Sequence, residues 1–341
     1  MTLQNVYILR MTAGLTTTVA VSYGMAWPLY FITPIFGAIF LLLPVWIGWN
    51  KAVQILLRLA YSLLIGLIIS EYFLNFPLLC VPLYGLLFFY IYYNDTPSAA
   101  PMATLFMTMG ITIVPIMGFS MVGLSHVIAA ALFFNMVVGL FSGWLFHLII
   151  PNTLAGPGTQ PPSGKKPTPP SEPSKKERIR LALTSTIVAL TAVILFFALN
   201  LSSYSFAMLQ ICLMAGAPSA NASFQAMKGN ALACLIGGAA IIIVYNLLTA
   251  VSTYLFLVVI IHCFALLFSR PIFGGGPMAK AFTTGFITFL ILLGTSTMAD
   301  TAASTNFYLR IAQILFAGLF TAAGLIIVEH LLRPGKRQRL H

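Results

Sequence analysis

Charge is what this chain has least of. Of its 341 residues 7% are charged, and only six are acidic. A soluble domain carries about 25% charged residues. No soluble core could bury a chain that is 60% hydrophobic behind so little polar surface. Catalytic signatures are missing too. There is no Walker A loop, no His-Glu-x-x-His and no Gly-x-Ser-x-Gly. Five histidines and six acids are scattered rather than clustered, so we expect no enzyme and no resident metal or cofactor. With no room for an ATP-binding domain, any transport would draw on an ion gradient, a solute gradient or a partner. The four cysteines, Cys80, Cys212, Cys234 and Cys263, lie in apolar runs without a Cys-x-x-Cys pair. They read as small buried hydrophobes rather than disulfide or metal ligands.

What is present is apolar length. A membrane-spanning helix needs about 20 mostly apolar residues. Candidate spans fall near 8–27, 29–49, 52–71, 74–93, 101–121 and 125–150, then near 180–199, 203–218, 229–249, 251–269, 279–299 and 307–332. The segment 203–218 is short and polar, and is expected to be tilted, broken or re-entrant. The expected fold is an all-α integral membrane protein of about 12 transmembrane helices. The N-terminal run lacks a small-residue cleavage site and reads as a retained helix.

Between the sixth and seventh spans lies PNTLAGPGTQPPSGKKPTPPSEPSKKERIR. Six prolines between 161 and 173 exclude a helix or central strand, and four lysines and two arginines fill the second half. The expected domains are therefore a membrane half at 1–150, a Pro-rich basic linker at 151–179, a second membrane half at 180–333 and a basic tail at 334–341. The net charge of +11 sits in short loops and tails, which argues for a membrane's cytoplasmic face and against nucleic acid. With the N-terminus in the cytoplasm, 16 of the 17 Lys and Arg fall on that side and only Arg310 on the other. By the positive-inside rule both termini and the linker are cytoplasmic.

The halves also match each other. Residues 101–120 laid over 277–296 without gaps agree at nine of twenty positions, including Pro101/Pro277, Thr108/Thr284, Thr112/Thr288, Gly118/Gly294 and Ser120/Ser296. Shared hydrophobicity does not align Pro, Gly, Thr and Ser. Arg10 matches Arg180 loosely, and His147-Leu-Ile-Ile-Pro151 matches His330-Leu-Leu-Arg-Pro334. An even number of spans per half makes these two parallel six-helix repeats, and a site is expected at their interface.

Candidate path residues follow from polar groups at membrane depth. Spacing of four puts Thr108 with Thr112, and Thr284 with Thr288, on one helix face each, with Ser120 and Ser296 beyond. They either pack helices together or line a path. Arg58 sits about two turns inside its helix, where it either snorkels or meets an anion. Arg310, ten residues after Asp300, is a solvated loop charge or part of an exit gate. Glu71 and His262 are the candidates for a proton relay, against interfacial and packed readings respectively. His126 is weaker, and Asp95 and Arg270 lie in equivalent loops.

The order of features resembles the fusaric acid resistance, or aromatic acid exporter, superfamily. The resemblance rests on Arg-led first helices and the turn Trp27-Pro28-Leu-Tyr30-Phe-Ile-Thr-Pro34. It rests also on basic, Gly-containing third helices (Lys51 to Gly66, Lys228 to Gly238) and an Arg-led sixth helix ending in Pro (Arg310 to Pro334). The chain looks like a compact branch without the large cytoplasmic domain that typically separates the halves. The resemblance implies proton-coupled efflux of small, often aromatic, organic acids across the bacterial inner membrane. It also implies a periplasmic membrane-fusion adaptor as partner, with Arg58 and Arg310 where the superfamily carries basic residues. The alternatives are a passive anion channel and a non-transporting scaffold for a secretion or efflux assembly. The sequence leaves open whether the chain forms a homo-oligomer.

Overall fold

The computed structural model describes residues 1–94, 101–121, 123–154, 174–216, 220–298 and 303–332. They form an all-helical protein, with no strand among them. The helices are α1 (Leu3–Met25), α2 (Ile32–Leu41), α3 (Trp49–Ile68), α4 (Pro77–Asn94), α5 (Pro101–Ser120) and α6 (Leu124–Ile149). After the linker come α7 (Lys175–Ala198), α8 (Ser205–Ala215), α9 (Ala220–Ala250), α10 (Tyr254–Phe273), α11 (Ala279–Met298) and α12 (Ala303–Leu332).

Local chemistry sets the ends. The Thr2 hydroxyl accepts the Asn5 N–H at 3.3 Å and opens α1. Ser174 does the same for α7, accepting from Glu177 N–H at 3.4 Å in a Ser-x-x-Glu pattern. The left-handed Ala26, at φ 49°, closes α1.

Among the described residues, eight helical stretches are long and apolar enough to cross a membrane, which makes this a multi-pass membrane protein. Four of the twelve expected spans are not among them: 8–27, 29–49, 101–121 and 203–218. The stretch 29–49 contains the 10 helical residues of α2 and the start of α3 at Trp49. The stretch 203–218 contains the 11 of α8. At 1.5 Å per residue each covers roughly 15 Å, about half of a 30 Å hydrocarbon core. For α2 the cause is visible on both sides. Leu29 at φ 55° turns the chain before it. Pro44 disfavours helical geometry at Leu43 after it.

The chain forms two compact units, and each draws on both halves of the sequence. Unit 1 is Met1–Leu56, Ala130–Pro167 and Gly229–Ile311. Unit 2 is Leu57–Ala129, Thr168–Lys228 and Ala312–His341. In unit 1, α1 packs on α2 and α10, while α11 packs on α2 and α10. Val6, Met11, Leu15 and Val19 of α1 share one apolar core with Ile261, Ala265, Phe268, Phe286 and Phe289. In unit 2, α7 packs on α4 and α8, while α5 packs on α4 and α8. Tyr84, Phe88 and Tyr92 of α4 stack at successive turns, with centroids 5.9 Å apart. They share a core with Val188, Ala192 and Phe196 of α7. Each buried tyrosine keeps its hydroxyl paired, as burial requires. Tyr84 donates to Ile111 O at 3.0 Å and Tyr92 to Cys212 O at 2.6 Å.

Close helix approach relies on glycine in both units. A Cβ on Gly66 of α3 would overlap the Gly110 carbonyl oxygen of α5, and one on Gly237 of α9 would overlap that of Gly285 of α11. Small residues let membrane helices touch along their backbones.

Candidate functional site

Unit 2 contains a cavity of about 330 Å³. Leu74, Pro77, Cys80, Val81 and Tyr84 form one wall, from the start of α4 and the turn before it; Phe119 of α5 adds an edge. Leu190, Val193, Ile194, Phe197 and Ala198 of α7 form the opposite wall. The Phe119 and Phe197 rings meet edge to face at 5.5 Å. The lining is apolar, with the Tyr84 hydroxyl turned away onto Ile111 O. Such a space takes a flat apolar group rather than an ion.

Next to it in sequence is an ionisable cluster. The chain after α3 makes one π-helical turn, Ile69–Phe73, closed by a bond from Leu74 N–H to Ile69 O at 3.1 Å. Single π turns are frequent at functional sites. This one carries Glu71, whose Oε1 accepts from Ser125 Oγ at 3.1 Å and lies 3.4 Å from His126 Nδ1. Both side chains are well exposed, so the pair adds little stability.

Unit 1 has three polar clusters. Asn135 of α6 is fully buried. Its Oδ1 accepts from Trp27 Nε1 at 2.9 Å and from the Thr33 hydroxyl; its Nδ2 donates to Pro28 O at 3.1 Å and Ala131 O at 2.6 Å. One side chain thereby fixes the turn between α1 and α2. A second cluster lies where α2 ends. Arg10 donates through Nη1 to Asn152 Oδ1 at 3.0 Å, and through Nη2 to Leu43 O at 3.0 Å and Pro44 O at 3.2 Å. His147 contacts Gly143 O through Nδ1 at 2.7 Å and the same Leu43 O through Nε2 at 3.2 Å. The Trp46 ring lies 5.9 Å from His147. A third contact joins His262 of α10 to α1, with its Nδ1 3.0 Å from Thr16 Oγ1. The Thr16 hydroxyl gives its proton to Thr12 O at 2.7 Å.

A family model described as "Protein of unknown function (DUF2955)" matches residues 7–142. No curated protein and no solved structure matches the chain. The matched stretch runs from α1 into α6. It carries Arg10, Asn135, Glu71, His126 and the α4 wall of the cavity, and stops short of His147, Asn152 and all of α7.

The residues singled out from the sequence are spread over both units. Thr108 and Thr112 are fully buried in unit 2; Thr112 donates to Thr108 O at 2.7 Å, and the Thr108 hydroxyl has no hydrogen-bond partner. Ser120 is exposed and donates to Met117 O at 2.7 Å. Thr284, Thr288 and Ser296 belong to unit 1, where Thr288 donates to Thr284 O at 3.0 Å and Ser296 is buried. Arg58 of unit 2 is exposed, on the same face of α3 as the exposed Leu57 and Tyr61. Arg310 of unit 1 is buried within electrostatic reach of Cys234, not solvated as a loop charge would be. Asp300, like Asp95, lies outside the described residues. Glu71 and His262 each gain a partner, in different units.

Sequence reasoning missed Asn135, the Arg10 cluster and the cavity. Trp27-Pro28 and the Arg10/Arg180 and His147/His330 matches were the visible traces of the first two. The cavity left none, because its walls are more than 100 residues apart in the chain.

Proposed function

We propose that this protein is a secondary transporter that exports small aromatic organic acids across a bacterial inner membrane, with both termini and the linker in the cytoplasm. The observation that carries the reading is the cavity of unit 2. Its walls come from α4 in the first half of the chain and α7 in the second, and three aromatic rings, Tyr84, Phe119 and Phe197, line it. Its volume lies at the lower end of small-molecule sites and suits one ring. The carboxylate of the solute stays outside this apolar wall. Arg58 and Arg310 are the proposed entry and exit contacts for it, with Asp300, ten residues before Arg310 in sequence, as the proposed partner in release. The Thr108/Thr112/Ser120 and Thr284/Thr288/Ser296 stripes are the proposed path. Glu71 with His126, and His262 with Thr16, are the proposed proton-handling groups.

The architecture behind the proposal is a doubled six-helix unit. If α1–α6 and α7–α12 correspond in order, unit 1 holds the first, second and sixth helices of one copy and the third, fourth and fifth of the other. Unit 2 holds the complementary set. Three regularities support this. The α1–α10 contact has its counterpart in α7–α4, and α2–α11 in α8–α5. Apart from one at Pro167/Thr168 between α6 and α7, the boundaries between units fall in α3, α6, α9 and α12, the third and sixth helices of each copy. The Gly66–Gly110 approach recurs as Gly237–Gly285. The resemblance to aromatic acid exporters points the same way, and a periplasmic adaptor is the partner it suggests.

The test is uptake of radiolabelled benzoate into everted membrane vesicles. Accumulation is expected in wild type, with loss on adding an uncoupler. Leu190→Trp, which fills the cavity, is expected to cut it at least about tenfold while the protein stays in the membrane. Accumulation that survives both Leu190→Trp and the uncoupler contradicts the proposal. Benzoate flux that survives only the uncoupler identifies a passive anion channel instead.

A further inference from the structure

We propose that the Arg10–Trp46–His147 cluster of unit 1 binds a small oxyanion group, a phosphate or a carboxylate, at the N-terminal end of α1. The site is separate from the cavity of unit 2 and does not depend on the transport reading.

Charge is the first argument. Arg10 is 1% exposed, and an arginine cannot shed its proton. A buried charge needs a counter-charge, and its absence costs several kcal/mol. The segments of unit 1 carry seven Lys and Arg but one acidic residue, Asp300, which lies outside the described residues. Among the described residues the ion pair is that of Glu71 with His126, in unit 2. The partners Arg10 does have are neutral: the Leu43 and Pro44 carbonyls, the Asn152 amide oxygen and the Tyr7 ring, whose centroid lies 5.1 Å from the guanidinium carbon. The two carbonyls follow the C-terminal end of α2 and bring only the partial negative charge of a helix end. They orient the guanidinium without neutralising it.

Hydrogen bonding is the second argument, and it is independent. Two buried N–H groups in this cluster have no acceptor, Arg10 Nε and Trp46 Nε1. Both are donors only, so nothing but an acceptor satisfies them. His147 ties them into one place: it shares the Leu43 oxygen with Arg10, and its ring lies 5.9 Å from that of Trp46. A guanidinium edge and an indole N–H together make a donor surface that fits a planar or tetrahedral oxyanion. The stretch 44–48, which carries Trp46, lies between α2 and α3 and is exposed at Pro44 and Val45.

The cluster is not a by-product of the helix order. The matching residues of the second half, Arg180 and His330, are half-buried and exposed. Three of the four tryptophans, Trp46, Trp49 and Trp144, make a chain of ring contacts beside His147, and tryptophan is enriched at a membrane–water boundary. The oxyanion is thus either free in water or the headgroup of an anionic lipid, and the test separates the two.

Full-length protein is reconstituted in nanodiscs of zwitterionic phosphatidylcholine, and its melting temperature is followed as inorganic phosphate replaces sodium chloride at equal ionic strength. A second arm replaces part of the lipid with phosphatidylglycerol, without phosphate. Binding to the folded state raises the melting temperature with concentration. A rise in the first arm assigns a free oxyanion, and a rise in the second alone assigns a lipid headgroup. Arg10→Gln is expected to remove the response. Trp46→Phe keeps the ring and loses the N–H, so it tests the site even if Arg10→Gln fails to fold. One lost hydrogen bond to a charged group should raise the midpoint at least about fivefold. No rise in either arm, or a Trp46→Phe response equal to wild type, overturns the proposal.

Discussion

Arg10 in α1 is buried among three oxygen acceptors, whereas Arg180, its counterpart in α7, is half-exposed. His147 near the end of α6 is buried and bonded, whereas His330 near the end of α12 is exposed. Unit 1 has invested in buried polar chemistry: the Arg10 cluster, the four-bonded Asn135 and the His262–Thr16 contact. Unit 2 has an apolar cavity between α4 and α7, and its Glu71–His126 contact stands at the surface beside a π turn. The same helix pairings thus carry two different interiors. If the chain is a doubled unit, its copies share the scaffold and have divided the chemistry.

The sharpest way to break that contrast is to remove matching residues from each side. Arg10→Ala leaves Asn152 Oδ1 without its donor, while the Leu43 and Pro44 carbonyls keep His147 Nε2 and Asn152 Nδ2. It is expected to cost about 2–4 kcal/mol, from the lost charge-assisted hydrogen bonds and the lost packing of a buried side chain. Arg180→Ala is expected to cost under about 0.5 kcal/mol, as exposed substitutions do. Thermal unfolding of both variants in one detergent compares them; equal losses would erase the distinction. Asn135→Ala, which frees the Trp27 indole and the Thr33 hydroxyl, should fall near Arg10→Ala on the same measurement.

A smaller effect tests the likeness rather than the difference. Gly66→Ala and Gly237→Ala each push a methyl into a backbone carbonyl of the facing helix. Each is expected to destabilise by about 1–3 kcal/mol, the range for overpacking. Similar values in the two units support a shared scaffold. A neutral result at one site would mean that the two glycine contacts are not equivalent.

The smallest expected change is at the surface. Glu71→Gln should cost under about 1 kcal/mol, because an exposed carboxylate–histidine contact is worth little. A larger loss of stability would show that the π turn depends on the charge.

Much of the helix order was legible. Apolar runs of about twenty residues are a local signal, and most of them are helices in the structure; the proline-dense stretch 155–173 lies outside the described residues. The shortness of α2 was not legible. The run Leu41-Leu-Leu-Pro-Val-Trp-Ile-Gly-Trp49 is apolar throughout, and hydropathy does not register that Pro44 and Gly48, at φ 82°, end the helix. Arg10 reads as the cytoplasmic-side charge that leads the first helix, and only the return of Leu43, Pro44 and Asn152 buries it. Asn135 is one amide in an apolar helix, with partners about 100 residues away. The exchange of helices between the two halves of the chain has no trace in composition, since both arrangements bury the same apolar faces.

That exchange is the claim on which the rest turns, and cross-linking reads it directly. In a cysteine-free background, Tyr7→Cys with Phe273→Cys probes α1 against α10, where the native rings lie 5.5 Å apart. Arg178→Cys with Tyr93→Cys probes α7 against α4, where Arg178 Nε donates to Tyr93 O at 2.7 Å. A short bifunctional thiol reagent applied to membranes is expected to link both pairs within one chain. Failure of both pairs, or links that form only between two copies of the chain, would contradict it.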